Sequence, residues 1–261
     1  MRQSLIAASA MAALALTATS AAAAEKFRAD YTVSAIGIPV GKSSFSTTVG
    51  EDGTYTIEGT LRSSGVARLF AAINGSLVAQ GSKSGDTVIS RQFRAQYTEG
   101  KKSKSTTFTY GGGSITGAEN NPKVKERGQW VPLQNADLRN AIDPIASTMV
   151  PAPSPRAVCG RTLRVFDGAM RLNVQLSYLR TVPFSTKGFK GDVVTCSGKY
   201  VPVSGYDAKK EDTIWMRDNG TMEVAFAPVG STGYFAPVNA TFKTRLATLR
   251  IRATRFEQLT P

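Results

Sequence analysis

The chain of 261 residues contains no histidine, only two cysteines and 19 acidic residues against 32 basic ones. The absence of histidine excludes Ser-His-Asp and Cys-His nucleophilic pairs and zinc sites with histidine ligands. It also removes the side chain that most often acts as a general base near neutral pH. No G-x-S-x-G elbow and no phosphate loop ending in Gly-Lys-Ser/Thr occurs. We therefore expect no catalytic residue, no cofactor and no metal site.

Paired carboxylates are the catalytic alternative that needs no histidine, because two acidic groups can hydrolyse a glycosidic bond. Glu211 and Asp212, directly before the stretch TIWM, are the candidates for such a pair. We interpret both as residues of a solvated loop. Asp143 is better explained as a helix cap and Asp167 as a turn residue. A glycan hydrolase built on Glu211 and Asp212 is thus an alternative, and a protein without catalytic activity is the prediction.

The first 24 residues have the three-part organisation of a secretory signal peptide. They comprise a positive start at Arg2, a short apolar stretch, and a run of alanines that ends at Ala24. The apolar stretch is shorter than the roughly 20 residues of a membrane-spanning helix, and we expect no transmembrane segment elsewhere. We predict removal of residues 1–24 and export of residues 25–261 to the periplasm. The signal peptide contributes only one charge to the formal net charge of +13, so the mature protein stays strongly basic.

Apolar and polar residues alternate with a period of two along most of the mature chain, as in strands with one buried and one solvated face. The alternation is clearest in MRLNVQLSY at 170–178, and it recurs at 27–35, 55–61 and 89–97. Turn sequences that contain glycine separate these runs, at 51–54, 99–102, 166–169 and 218–221. Since Gly and Asn tolerate the backbone of tight hairpins, the sequence predicts antiparallel strands joined in sequence.

Only two segments are predicted to be helical. SSGVARLFAAING at 63–75 has a Ser64 cap and an Asn-Gly stop, and DPIASTMVP at 143–151 has an Asp143 cap followed by proline. We predict a mainly β fold with one large curved antiparallel sheet, an open barrel or β-spiral. The two short helices are expected to cover or plug its concave face. The prediction is a single domain with a proline-rich crossover near 151–156.

The two cysteines, Cys159 and Cys196, admit three interpretations: a nucleophile, a metal ligand pair or a disulfide. A nucleophilic Cys159 lacks a histidine partner, and no other soft metal ligands stand near either cysteine. An even pair in an exported chain is typical of a disulfide. We therefore predict a Cys159–Cys196 bond that pins the start of the second half of the chain to a later strand.

Two further stretches are candidates for binding. The basic stretch TFKTRLATLRIRATRF at 241–256 contains the candidate anion-binding residues Lys243, Arg245, Arg250, Arg252 and Arg255. Arginine can grip a phosphate with two hydrogen bonds, but the same residues also suit the solvated face of a last strand. The apolar stretch FAPVGSTGYFAPVNATF at 226–242 is predicted to be a loop, either a flap over an open sheet or a cover of the core. Its candidate residues are Phe226, Tyr234 and Phe235.

Four stretches in a fixed order add a resemblance: YTVSAIGIPVGKSSFST, SSGVARLFAAI, DLRNAIDPIASTMV and LRVFDGAMRLNVQL. Together they resemble a family of exported bacterial proteins known as domain of unknown function 3108, over most of residues 27–256. The resemblance implies a periplasmic, mostly antiparallel β protein. It implies no activity and no site residue. By analogy of fold alone, a curved sheet with plugging helices looks like the lipoprotein-carrier folds of the periplasm.

These observations predict a non-catalytic periplasmic protein of the cell envelope. We expect it to bind an amphipathic or anionic envelope component, such as a lipid, a lipoprotein or lipopolysaccharide, and to support envelope integrity. The alternative is a scaffolding protein that contacts other envelope proteins. Nucleic acid is not expected as a partner, because an exported protein rarely meets it, although the positive charge would suit any polyanion.

Overall fold

The computed structural model describes residues 24–65, 68 and 72–259. Most of the described chain is β-structure. The strands are β1 (Glu25–Ala35), β2 (Ile38–Val49), β3 (Thr54–Ser63), β4 (Ile73–Ser84), β5 (Thr87–Glu99), β6 (Lys102–Gly111), β7 (Ser114–Asn121), β8 (Trp130–Val131), β9 (Val150–Pro151), β10 (Arg161–Phe166), β11 (Arg171–Thr186), β12 (Phe189–Ser204), β13 (Tyr206–Asp207), β14 (Thr221–Pro228), β15 (Tyr234–Lys243) and β16 (Thr248–Leu259).

One antiparallel sheet of fourteen strands contains nearly all of these elements, in the order β10-β11-β12-β14-β15-β16-β1-β2-β3-β4-β5-β6-β7, with β9 paired to β15. The first strand pairs with the last along almost its whole length, so the two halves of the chain share a ladder in the middle of the sheet. The predicted large antiparallel sheet is confirmed. The hairpins at 51–54, 99–102 and 166–169 are confirmed as well.

The sheet curls but does not close into a barrel. Its two edges, β7 and β10, come together without a ladder between them. The side-chain amide of Asn120 at the end of β7 donates to the Gly168 carbonyl in the β10–β11 turn at 2.8 Å. Nearby, the rings of Phe108 and Phe166 lie 5.2 Å apart. Side chains therefore bridge the edges, and the sheet keeps an interior.

The connection from β7 to β10 runs through this interior. Its central part, residues 138–152, is largely buried and packs between β4 and β5 on one side and β10 and β15 on the other. The predicted helix at 143–151 is wrong, because only a 3-10 turn forms at Ala146–Thr148. Asp143 caps that turn as predicted, and its carboxylate accepts from the backbone N–H of Ala146 at 2.7 Å. The turn stops early because Val150 and Pro151 pair with β15 as β9.

The other helix predictions also need correction. Residues 66, 67 and 69–71 of the predicted helix at 63–75 lie outside the described residues, and Arg68 between them is helical. The proposed ends of this helix belong to β3 and β4, so the Asn-Gly stop at 74–75 is wrong. The structure also forms α1 (Glu211–Asn219), where a solvated loop and an Asn-Gly hairpin were expected. Two acidic residues in its first turn favour a helix start. No apolar stripe marks α1 in the sequence, which is why periodicity missed it.

The Cys159–Cys196 disulfide is present, with 5.6 Å between the Cα atoms. Cys159 directly follows a 3-10 turn at Pro155–Val158, which begins at the end of the predicted crossover. Cys196 lies in β12 and is fully buried. The predicted disulfide is therefore confirmed, and it links the interior connection to the sheet.

The alternation along β11 predicts that Arg171 lies on the solvated face of the sheet, but the structure buries this side chain, which is 1% exposed. The guanidinium donates to the Asp137 carbonyl at 3.0 Å and to the Asn173 side chain at 2.9 Å, and it contacts the Leu172 carbonyl. Burial lowers its pKa to about 10. Arg171 thus ties the start of β11 to the interior connection.

Candidate functional site

An apolar cavity of about 450 Å³ lies inside the curled sheet. One wall consists of inward side chains of β1 to β4, and the opposite wall of side chains from β10, β11, β14, β15 and β16. The interior connection completes the lining with Ile145, Ser147, Thr148 and Met149. Because both halves of the chain and their connection contribute, the cavity exists only in the fully assembled sheet.

The cavity is closed at one end and open at the other. Along β1, Phe27 and Ala29 are buried, whereas Tyr31 and Val33 are partly exposed. Along β3 the same change occurs between Ile57, which is 3% exposed, and Leu61, which is 44% exposed. Both strands therefore run from the closed end to the mouth of the cavity.

Aromatic rings shape the interior. At the closed end, the rings of Phe27 and Phe256 meet edge to face with centroids 4.6 Å apart. Further out, Phe45 of β2 lies across Gly59 of β3, where an added Cβ would stand 2.7 Å from the phenyl ring. Glycine at position 59 thus allows Phe45 to lie flat on the sheet and keeps the space beside it open.

Of the five hydroxyl-bearing side chains in the lining, those of Tyr31, Ser147 and Thr148 are hydrogen-bonded within the protein. The Tyr31 hydroxyl donates to the Pro237 carbonyl at 2.7 Å, and burial raises its pKa. The hydroxyls of Ser147 and Thr148 donate back to carbonyls of their own turn, also at 2.7 Å. The cavity therefore offers a ligand an apolar surface and almost no directional hydrogen bonding.

A buried polar cluster around Asp143 fixes the interior connection, which contributes to the cavity lining. The Asp143 carboxylate accepts from the Ser90 hydroxyl of β5 at 2.7 Å and from the backbone N–H of Ile145 at 3.0 Å. Burial raises the pKa of Tyr55 and of Tyr110, and the nearby Asp143 carboxylate raises both further. Burial also raises the pKa of Asp143 to about 6. Asp143 thus anchors the interior connection to β5.

The five candidate anion-binding residues do not form one site. Arg245 pairs with Asp212 at 2.6 Å, and Arg255 pairs with Asp30 at 3.3 Å. Arg250 and Arg252 lie on the opposite face of β16 from Ile251, which lines the cavity. Lys243 ends β15 and is exposed.

Arg250 and Arg252 line a separate outer groove of about 640 Å³. The groove lies between the long β11–β12 hairpin and the outer face of β14 to β16 and β1. The Arg252 guanidinium stands 4.8 Å above the Phe184 ring, and Arg180 pairs with Glu223 across the groove at 2.6 Å. Anion binding by these residues stays a prediction.

The predicted apolar loop at 226–242 is wrong, because β14 and β15 form a hairpin there. Phe226, Tyr234 and Phe235 are all buried, and Phe226 lines the cavity. The Tyr234 hydroxyl donates to the Gly53 carbonyl at 2.8 Å. The prolines of this stretch suggested a loop, but Pro237 lies at an irregularity of the β14–β15 ladder, where a proline is tolerated.

The two carboxylates considered for hydrolysis, Glu211 and Asp212, lie in the first turn of α1 on the surface. Both pair with Arg245, Glu211 at 3.5 Å and Asp212 at 2.6 Å. Neither lines the apolar cavity or the outer groove. Their exposure and their shared cation describe a surface ion-pair cluster.

A search of solved structures matched this chain to the following two. A beta-barrel-like protein of the domain of unknown function DUF1849 from Brucella abortus matches with a TM-score of 0.52 at 8% identity, over 91% of this chain and 98% of that chain. A putative lipoprotein from Parabacteroides distasonis matches with a TM-score of 0.34 at 8% identity, over 89% of this chain and 95% of that chain. The first likeness supports the fold alone.

None of the curated proteins matches the sequence. No helix in the described part of the chain is long and apolar enough to span a membrane. The family model for the protein of unknown function DUF3108 matches residues 26–245, which is most of the chain and includes the cavity-lining strands β1 to β4, β10, β11, β14 and β15. The chain therefore belongs to the DUF3108 family.

Proposed function

We propose that this protein is a non-catalytic protein of the bacterial envelope that binds the acyl chain of an amphipathic envelope lipid in its apolar cavity. The observation that carries the proposal is the cavity itself, closed at one end and open at the other. Its volume of about 450 Å³ lies within the range of small-molecule sites, roughly 300–1,000 Å³.

The chemistry of the lining favours a hydrocarbon chain. Each methylene group that leaves water for an apolar site contributes about 0.8 kcal/mol. Because the hydroxyls of Tyr31, Ser147 and Thr148 are bound to carbonyls of the protein, a polar headgroup finds only Ser43 and Thr47 as further hydroxyl partners and gains little by entering. The headgroup would stay at the mouth, where the exposed Lys243 favours an anionic one.

The location proposed for this activity is the periplasm. The signal peptide predicted at residues 1–24 lies almost entirely outside the described residues, so its support comes from the sequence. The disulfide adds to it, because such bonds persist in oxidising compartments. Amphipathic lipids, lipoproteins and lipopolysaccharide are the acyl-bearing molecules of that compartment.

Filling the cavity tests the proposal. Ala240 of β15 is buried and faces the cavity, so Ala240→Phe places a ring in existing space. We expect the affinity for a fluorescent fatty acid, measured by titration, to fall at least about tenfold, the equivalent of about 1.4 kcal/mol. Circular dichroism should show an intact fold.

The matched control is Ala118→Phe, which adds the same ring at an exposed position of β7. This variant should bind the fatty acid like the unaltered protein. Equal affinity of the Ala240→Phe variant and the unaltered protein, with both folded, would show that the probe does not occupy the cavity and would refute the proposed function.

A further inference from the structure

The most exposed large apolar side chains of the described chain gather at one end of the sheet. Leu246 is 77% exposed, Ile36 is 75% exposed and Ile38 is 54% exposed. Leu61, at the mouth of the cavity, is the fourth. We call these four residues the mouth collar. Scattered exposed apolar residues need no explanation, but a group of them beside an apolar opening does.

Two adjacent hairpin tips carry three of the four collar residues, Ile36, Ile38 and Leu246. Ile36 and Gly37 form the turn between β1 and β2, and Leu246 lies in the turn between β15 and β16. The backbone N–H of Ile36 donates to the Thr248 carbonyl at 3.2 Å, which fixes one tip beside the other. The strands that leave these tips, β1 and β15, continue directly into the cavity wall.

Ile36 occupies a backbone conformation that disfavours it. Its φ is +51° and that of Gly37 is +81°, as in the tight hairpin turn for which Asn-Gly is the usual sequence. A β-branched residue rarely adopts a positive φ, and the exposed side chain gains no packing in return. A Cβ built at Gly37 meets no atom within 4 Å, so the tip projects from the protein. Stability alone would place asparagine at position 36.

Cations surround the collar. Lys243 and Arg245 precede Leu246 in the same turn region, and Arg250 follows it on β16. The acidic residues nearby are themselves paired: Glu211 and Asp212 with Arg245, and Glu223 of the outer groove with Arg180. Within the described residues, Lys243 and Arg250 form no ion pair. Apolar side chains that project between basic ones are the pattern of proteins that lie on an anionic membrane surface.

We propose that the mouth collar docks on an anionic lipid bilayer, with Ile36, Ile38 and Leu246 inserted among the headgroups and acyl chains. Lys243 and Arg250 then face the lipid phosphates. The proposal goes beyond the proposed function, because docking concerns the outer surface of the tips and needs no ligand in the cavity. It also gives the costly isoleucine at position 36 a role that folding does not supply.

Vesicle sedimentation tests this docking with the whole protein. The probes are vesicles of phosphatidylglycerol and phosphatidylethanolamine, and vesicles of phosphatidylcholine alone. We expect the protein to bind the anionic vesicles, to bind the neutral ones at least tenfold more weakly, and to lose affinity as salt is raised. The double variant Ile36→Asn and Leu246→Ser should reduce binding to anionic vesicles at least tenfold.

A thermal melt of the single variant Ile36→Asn separates docking from folding. We expect an unchanged or raised melting temperature, since asparagine suits the positive φ, together with weaker vesicle binding. The matched control Leu179→Ser replaces an exposed leucine on β11, five strands away from β1 in the sheet. It should bind vesicles like the unaltered protein.

Several results would overturn the docking proposal. One is absence of binding to anionic vesicles at low salt, and another is equal binding by the collar variants. Self-association or association with an envelope protein that the collar variants abolish, without vesicle binding, would assign the surface to a protein partner instead. The Ala240→Phe variant should still sediment with vesicles, so that failure of docking and failure of acyl binding are told apart.

Discussion

Replacing both Cys159 and Cys196 with serine is expected to lower the free energy of unfolding by about 4 kcal/mol. The bond closes a loop with a sequence separation of 37, and the chain-entropy model assigns about that value to a loop of this length. The loop contains β10, β11 and part of β12, so without the bond the unfolded chain gains freedom across the segment that supplies the β10 and β11 part of the cavity wall. Urea denaturation followed by tryptophan fluorescence measures the change.

A reduced sample of the unaltered protein is the control for this experiment. It should unfold near the same urea concentration as the double serine variant, since both lack the same bond. The interior connection should also become more accessible to proteases, because Cys159 fixes its end to β12. An unchanged midpoint in the variant would show that packing of the connection, and not the bond, holds this half together.

The second large effect is expected from the buried carboxylate of Asp143. Its pKa is about 6 in the folded protein against an ordinary value of 3.8, because burial opposes its charge. The folded protein therefore binds more protons than the unfolded chain between these pH values, and stability falls as pH rises through this window. The shift corresponds to about 3 kcal/mol that is present below about pH 4 and lost by pH 7.

Asp143→Asn should remove this pH dependence, because asparagine mimics the uncharged carboxyl and can still accept from the backbone N–H groups of Ile145 and Ala146. We expect its stability relative to the unaltered protein to rise between pH 4 and pH 7. The control Asp52→Asn has the opposite sign: hydrogen bonds from Thr54 lower the pKa of Asp52, so its contribution is lost only as pH falls. A constant difference between Asp143→Asn and the unaltered protein across this window would contradict the assignment.

These two effects bear on the same element. The interior connection supplies one wall of the cavity through Ile145 and Met149, and Asp143 and Cys159 anchor it at two points. Acidic conditions stabilise the first anchor, whereas reduction removes the second. Changes in acyl binding that follow pH or reductant would therefore report on the position of this wall.

The sheet could be predicted from the sequence because alternation and glycine turns are local signals. The run MRLNVQLSY and the turns at Gly53 and Gly168 identify strands and hairpins without any knowledge of distant contacts. The disulfide followed from the inventory of two cysteines in an exported chain. Arg171 was placed on the wrong face because alternation does not reveal that the interior connection covers the start of β11.

The cavity could be predicted only in part. Phe27, Ala29, Tyr31 and Val33 stood out as one face of a strand, and the structure places all four in the lining. Whether such a face is filled or left hollow depends on how far the sheet curls and on what the connection fills. The predicted helix at 143–151 is wrong because of a long-range contact as well. Pairing with β15 competes with helix formation after one turn.

The mouth collar contains a residue that contradicts the usual sequence preference of its turn. Ile36 breaks the preference for asparagine in a tight turn, and nothing near it in sequence compensates. Recognition of the tip as special required two facts from the structure: its exposure and its position beside Leu246 and the cavity mouth. A local conflict of this kind is expected where a residue serves function instead of stability.

Acyl binding in the cavity is tested most directly by titration calorimetry with saturated fatty acids of increasing length. Each added methylene group should strengthen binding roughly fourfold, or about 0.8 kcal/mol, until the chain fills the closed end at Phe27 and Phe256. The heat capacity change should be negative, and Ala240→Phe should shorten the range over which length matters. Affinity that does not depend on chain length, in a folded protein, would contradict the account.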